Sequence, residues 1–344
     1  MTYTAPSDFD FELPRQAIAR YPSSVRSESK LLALPKQGSL QHDRFKSIRS
    51  YLKAGDLLIF NDTKVIPARL LGRKKTGGRI EVFLERILDN NRMLAQIRAS
   101  KAPHPGDELI FESNIRLRVL HHHTHFYELQ YEHPDRTILE VIESIGEIPL
   151  PPYLHRAPEE SDQERYQTVY ARHRGSVASP TAGLHFDDAL LNALRKKNIQ
   201  MGFLTLHIGA GTFAPVRVDN IHEHQMHSEY FELSPDLCAQ IHTAKSQSRR
   251  IIAVGTTSLR ALETAGKSGE VKPYRGDTNI FIYPGYSFQV VDALITNFHL
   301  PRSTLLMLVC AFGGYNRIMD AYRIALAEGY RFYSYGDAMW IERD

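Results

Sequence analysis

Apolar and polar residues alternate through one part of the chain and recur at helical spacing through the rest. Short alternating runs occupy 65–71, 79–87, 93–99, 108–111, 115–120 and 126–131. Between them lie Thr76-Gly77-Gly78, Asp89-Asn90-Asn91, Pro105-Gly106-Asp107 and Ser113-Asn114, residues that tolerate tight or left-handed backbone. Six strands with no helix between them predict a small closed or sandwiched β unit.

The flanks read differently. Phe9, Phe11 and Leu13 alternate as a short strand, 15–21 predicts a helical turn, 30–34 and 57–60 predict strands, and 45–52 predicts a helix. A helical period returns at 137–145, before Pro149, Pro151 and Pro152 impose an extended linker. Beyond it, 201–208, 249–254, 279–283 and 290–296 read as strands, and 258–265 and 320–327 as helices. Asp187 is placed to cap a helix that carries Leu190, Leu191 and Leu194 on one face. The segment 305–312 suits a buried helix or a buried strand, and Ser303 as cap with Gly313-Gly314 as stop favours the helix. The expected fold class is α/β, with a main domain of 1–60 and 150–344 and an inserted all-β domain at 61–149.

Composition narrows the function classes. A 344-residue chain with 42% hydrophobic and 24% charged residues is ordinary for a globular protein with two cores. Its longest apolar run is too short to span a bilayer and its acidic start is unlike a signal peptide, so a cytoplasmic protein is expected. Cys238 and Cys310 are too few for a cluster, a zinc ribbon or a disulfide framework. Net charge is only +3, yet residues 64–118 hold twelve Lys and Arg against six Asp and Glu, which concentrates any phosphate-attracting surface there. A solvated basic face without a partner is the plain alternative.

The chemistry-bearing stretches sit outside that basic segment. Residues 175–186 and 205–213 join glycine, hydroxyl and imidazole groups to a helix start and a strand end, where backbone can approach a ligand closely. Gly209-x-Gly211-x-x-Ala214 formally fits a dinucleotide fingerprint, but Pro215 pushes Ala214 into extended backbone where that motif must open a helix. Thr256-Thr257-Ser258 follows Gly255 at the start of a helix, an end that holds a carboxylate or phosphate, or simply caps itself. His222, His224 and His227, whose spacing could offer ligands to a metal on one strand face, interleave with Glu223 and Glu229. Proton transfer between imidazole and carboxylate suits them better than a metal, because no cysteine or helical His-Glu-x-x-His completes a ligand set. The run His121, His122, His123 and His125 reads as surface. Lone His185, His207 and His299 read as core residues or as catalysts, Asn61-Asp62-Thr63-Lys64 as an Asx turn or as part of a cleft between domains, and Asp337 as part of a turn.

Together these blocks resemble the S-adenosylmethionine:tRNA ribosyltransferase-isomerases of queuosine biosynthesis. The resemblance runs through 55–58 and 61–70, Gly146-Glu147-Ile148-Pro149-Leu150-Pro151-Pro152-Tyr153, 164–170, both glycine stretches and His224-x-x-His227-x-Glu229. It continues through Val254-Gly255-Thr256-Thr257-Ser258, 280–286, Thr296-Asn297-Phe298-His299-Leu300-Pro301 and Ser334-Tyr335-Gly336-Asp337-Ala338-Met339. It implies a barrel-like α/β domain with an inserted β-barrel. It also implies transfer and isomerisation of the ribosyl moiety of S-adenosylmethionine onto 7-aminomethyl-7-deazaguanine at the tRNA wobble position, giving epoxyqueuosine-tRNA, adenine and methionine.

S-adenosylmethionine is then a consumed substrate, no cofactor or metal is required, and the expected enzyme is a monomer that binds tRNA. The chemistry asks for a base at the ribose carbon beside the sulfonium and a proton or hydrogen bond for departing adenine. His207, His227 and Glu229 are the leading candidates, with His185 and His299 behind them; Asp62 or Asp337 would hold the sulfonium or the incoming amine. Thr256, Thr257 and Ser258 would take the methionine carboxylate, with Gly209, Gly211 and Thr181 also against substrate. Lys64, Arg69, Arg73, Lys74, Lys75 and Arg98 are available for tRNA phosphates. Ser179, Lys30, Cys310 and the histidine run depart from the family's usual residues. A tRNA methyltransferase and a non-catalytic tRNA-binding protein are the rivals.

Overall fold

The computed structural model describes residues 3–133, 135–213 and 216–343. Nine strands form one mixed sheet, in the spatial order Tyr274–Thr278, Glu229–Leu233, Gln200–Leu206, Leu57–Asn61, Ile251–Val254, Ala293–Asn297, Ala338–Glu342, Lys30–Leu34 and Gln41–Arg44. The four from Gln200–Leu206 to Ala293–Asn297 run mutually parallel. Leu57–Asn61 is buried throughout because both sheet faces are covered, as apolar parallel strands require. Leu57 and Ile59 pack into one core layer with Leu237, Ile241, Leu259 and Leu262 from the helices Pro235–Ser246 and Thr256–Ala265. Leu58 and Phe60 point the other way, into a layer with Ile48, Leu190, Leu191, Leu194 and Trp340.

Between Asn61 and the rest of this sheet the chain builds a second body. The strands Arg69–Lys74, Arg79–Ile87, Arg92–Ala99, Tyr127–Tyr131, Arg116–His122 and Glu108–Ile110 pair in that order, all antiparallel. Arg73 and Lys74 then pair with Ile110 and Leu109, which closes the barrel and leaves it no free edge. Helix Ile138–Ile145, capped by Thr137, sends Ile138, Val141 and Ile142 into the barrel core. The α/β class with an inserted all-β barrel thus stands as expected.

Some local expectations need correcting. Phe9, Phe11 and Leu13 form no strand: the segment begins with a 3₁₀ turn, Pro6–Phe9, whose Phe9 is fully buried. The predicted strand at 279–283 lies one element too late, since the chain pairs at Tyr274–Thr278 instead. His222, His224 and His227 share no strand face either. They occupy a 3₁₀ turn, Ile221–Glu223, and an irregular stretch before the strand that begins at Glu229. Residues 65–71 divide at Pro67, which has no N–H for a ladder, into Thr63–Val65 and Arg69–Lys74. The ambiguous segment is the helix Thr304–Gly313, with Ser303 accepting the Leu306 N–H at 3.2 Å.

Candidate active site

The four parallel strands end on the same side of the sheet, and each exit carries chemistry. Asn61 leads to Asp62, Leu206 to His207, Val254 through Gly255 to Thr256, and Asn297 to His299. Carboxyl ends of parallel strands leave backbone groups and loops free to meet a ligand.

A cavity of about 560 Å³ opens beside the last two exits, a volume ordinary for a small-molecule site. Its wall includes Ser179, Thr181, Gly255, Thr256, Thr257, Asn297 and His299, with Tyr153, Tyr166, Phe298 and Tyr333 as aromatic surface. Tyr153 stacks on Tyr333 with ring centroids 4.2 Å apart. Gly255 adopts φ +93°, which carries the strand sharply into the helix Thr256–Ala265, and no side chain caps that helix. Its first N–H groups therefore meet the cavity as a partial positive charge. Ser179 Oγ, Thr257 Oγ1 and Asn297 Oδ1 are buried and have no hydrogen-bond partner among the described residues. His299 Nε2 lies 2.9 Å from Thr296 Oγ1, and burial pushes its imidazole down to about 3, so the ring is neutral near pH 7.

Beside this cavity lies a second, polar cluster around the other two exits. His207 Nδ1 is 2.8 Å from Thr63 Oγ1, and its ring leaves no room for a side chain on Gly175, whose Cβ would lie 2.9 Å from Cε1. Burial lowers the His207 imidazole to about 4. Asp62 accepts the Thr205 hydroxyl at 2.7 Å and lies 3.6 Å from His173 Nε2; burial raises its carboxyl despite both neighbours. Glu229 is ion-paired with Arg260, each side chain only 5% exposed. His227 packs on Gly211, where an added Cβ would lie 2.4 Å from the ring. The loop after His207 joins the two places: Ile208 and Thr212 line the cavity, while Gly209 and Gly211 turn toward the cluster.

Of the candidates named from sequence, Thr181, Thr256, Thr257 and His299 line the cavity, and His207, Asp62, His227, Glu229, Gly209 and Gly211 belong to the adjoining cluster. Three lie elsewhere. Ser258 donates to the Val254 carbonyl at 2.9 Å, back to the end of the strand before its helix. His185, 4% exposed, is held by Ser29 Oγ at 2.7 Å and Asn297 Nδ2 at 3.2 Å. Asp337 accepts the N–H groups of Lys30 and Arg331 at 2.8 Å each, tying a strand start to the final turn.

The whole of this arrangement falls within a region matched by one family model, described as queuosine biosynthesis protein, over residues 6–341. The chain belongs to that family. A similar solved structure is the S-adenosylmethionine tRNA ribosyltransferase of Thermotoga maritima, at 34% identity and a TM-score of 0.57, covering 97% of this chain and 100% of that one. As a member of the queuosine biosynthesis family, the chain is a biosynthetic enzyme, a transferase. Strand Gln200–Leu206 leads into a 3₁₀ turn, Ala210–Phe213, so no long helix opens at the glycines as a dinucleotide site requires. Ala214 and Pro215, on which the sequence argument against that site turned, lie outside the described residues.

Candidate RNA contacts differ in their freedom. Arg69 is tied to Glu81 at 2.6 Å and Glu147 at 3.1 Å, and Lys74 donates to the Lys101 carbonyl at 2.8 Å. Arg98, 88% exposed, is only loosely paired with Glu81 at 3.5 Å. Arg73 and Lys75 are exposed, and Lys64 half-buried, with no ion pair for any of the three among the described residues. Arg73 sits opposite Arg79 in the barrel ladder, which gathers positive charge on one hairpin. No helix among the described residues is long and apolar enough to cross a membrane. No three His, Cys, Asp or Glu side chains among them group as metal ligands.

Sequence reading missed Glu85 altogether. It reaches from the barrel to the glycine loop, and its only signal was its place as a polar residue in an alternating strand.

Proposed function

We propose that the enzyme transfers and isomerises the ribosyl group of S-adenosylmethionine onto 7-aminomethyl-7-deazaguanine in the wobble position of tRNA, releasing adenine and methionine and leaving epoxyqueuosine-tRNA. The cavity carries this reading: it sets an uncapped helix start and buried hydroxyls with no hydrogen-bond partner among the described residues beside an aromatic wall, which suits an amino-acid carboxylate joined to a purine. The methionine carboxylate sits at Thr256 and Thr257, and adenine lies against Tyr153, Tyr333 and Phe298.

His299, neutral in the cavity wall, offers departing adenine a hydrogen bond without competing for positive charge with the sulfonium. Asp62, His207, His227 and Glu229 sit one loop away, where the acceptor base enters, and serve proton transfer and the incoming amine. The basic barrel face holds RNA phosphates through Lys64, Arg73, Lys75 and Arg98, with Arg69 and Lys74 released from their internal partners on binding. The enzyme acts as a monomer. The test is product chemistry: adenine with methionine supports the reaction, S-adenosylhomocysteine marks methyl transfer, and unconsumed S-adenosylmethionine marks a binding protein.

A further inference from the structure

Glu85 lies at a break in the barrel ladder. Leu84 pairs with Ala95 and Arg86 with Leu94, so Glu85 is the extra residue of a β-bulge. A bulge re-aims one side chain out of the strand's alternation. This one aims a carboxylate at the large sheet's glycine loop: a Cβ on Gly209 would lie 2.3 Å from Glu85 Oε1, so a side chain there would push the carboxylate aside. Glu85 Oε2 is enclosed and has no hydrogen-bond partner among the described residues. The next residue clamps the same junction from the other side, since Arg86 donates to Asp277 Oδ2 at 3.1 Å and to the Ser228 carbonyl at 3.0 Å. Two consecutive barrel residues thus grip the loop and the edge strands that flank it.

We propose that Glu85 is a positioning residue for the reaction: its carboxylate holds the Gly209–Gly211 backbone, and its protonation state sets how firmly the loop closes on S-adenosylmethionine. The reading rests on the function proposed above. Ile208 and Thr212, at the two ends of the gripped segment, line the cavity, so any movement of the segment reshapes that wall. An ionised carboxylate holds backbone N–H groups more strongly than a neutral acid does. Burial raises the Glu85 carboxyl to about 7, Glu229 adds to this, and the Ala210 and Gly211 amides and Arg86 oppose it. His227 faces the loop from the other side against Gly211, and Arg260 neutralises Glu229.

The test is KM for S-adenosylmethionine, read from adenine release at saturating tRNA between pH 6 and pH 8, for wild type, Glu85→Gln and Glu85→Asp. The wild-type KM is expected to fall roughly tenfold as pH rises and the carboxylate ionises. Glu85→Gln is expected to hold the low-pH KM throughout, with kcat at saturation little changed, and Glu85→Asp to restore part of the pH step. Urea unfolding at pH 8 serves as the control: removing a buried charge leaves Glu85→Gln at least as stable as wild type. A wild-type KM profile in Glu85→Gln overturns the proposal. Wild type that releases no adenine overturns instead the function on which it rests.

Discussion

Glu229 and Arg260 form a buried ion pair, and the guanidinium also donates to the Ile280 carbonyl at 3.3 Å. Removing one partner strands the other charge away from water. Arg260→Met is therefore expected to lower unfolding free energy by about 3–5 kcal/mol, measured by urea denaturation. The double change Glu229→Leu with Arg260→Met is expected to recover most of that stability without recovering turnover. Recovery of turnover by the double variant removes Glu229 from the proton-transfer candidates.

The buried hydroxyls of Ser179 and Thr257 have no hydrogen-bond partner among the described residues. If they serve the ligand, Ser179→Ala and Thr257→Val are each expected to raise KM for S-adenosylmethionine by roughly tenfold, the worth of one hydrogen bond. Stability is expected to stay within about 1 kcal/mol of wild type, because the free chain loses no hydrogen bond. An unchanged KM with unchanged stability places the ligand elsewhere.

His185 makes a pH-dependent contribution to stability with a definite sign. Burial depresses its folded-state value to about 3, below the 6.5 of a free imidazole. The unfolded chain therefore binds a proton first as pH falls, and stability drains away from pH 6.5 downward. Between pH 6.5 and pH 5 the loss from this one group is about 2 kcal/mol. His185→Gln is expected to be less stable at pH 7 but to show a shallower decline, read as the difference in urea midpoints at the two pH values. An equal decline in both proteins contradicts the assignment.

Elements that bury one alternating face were legible in the sequence. Arg79–Ile87 was read at its observed bounds because Ile80, Val82 and Leu84 mark every inward position. Gln41–Arg44 and Tyr274–Thr278 were not, because sheet-edge strands of polar residues carry no apolar period, and their pairing comes from the neighbouring strand. Helix Pro235–Ser246 was missed although Ser234 caps it and Leu237 and Ile241 are buried, since its apolar face is narrow and interrupted. The site was legible where a motif ends a strand, as at Thr256 and His299. Glu85 was not legible, because a bulge depends on the ladder's register and alternation alone makes that residue an outward surface acid.

The barrel face gives a salt-dependent test. Arg73, Lys75 and Arg98 project from the β-barrel with few internal partners. Each replaced by Ala is expected to weaken tRNA binding and to reduce the slope of log K against log salt by about 1, while leaving KM for S-adenosylmethionine unchanged. A slope equal to wild type excludes that residue from the RNA contacts.

The central claim is that this cavity dismantles S-adenosylmethionine while the RNA receives its sugar. One reaction measures both sides: purified protein, S-adenosylmethionine and tRNA bearing 7-aminomethyl-7-deazaguanine, with free adenine and the mass of the anticodon nucleoside followed together. The account predicts one adenine released for each nucleoside converted to epoxyqueuosine. An anticodon heavier by a methyl group alone, or an unchanged anticodon with no adenine released, contradicts it.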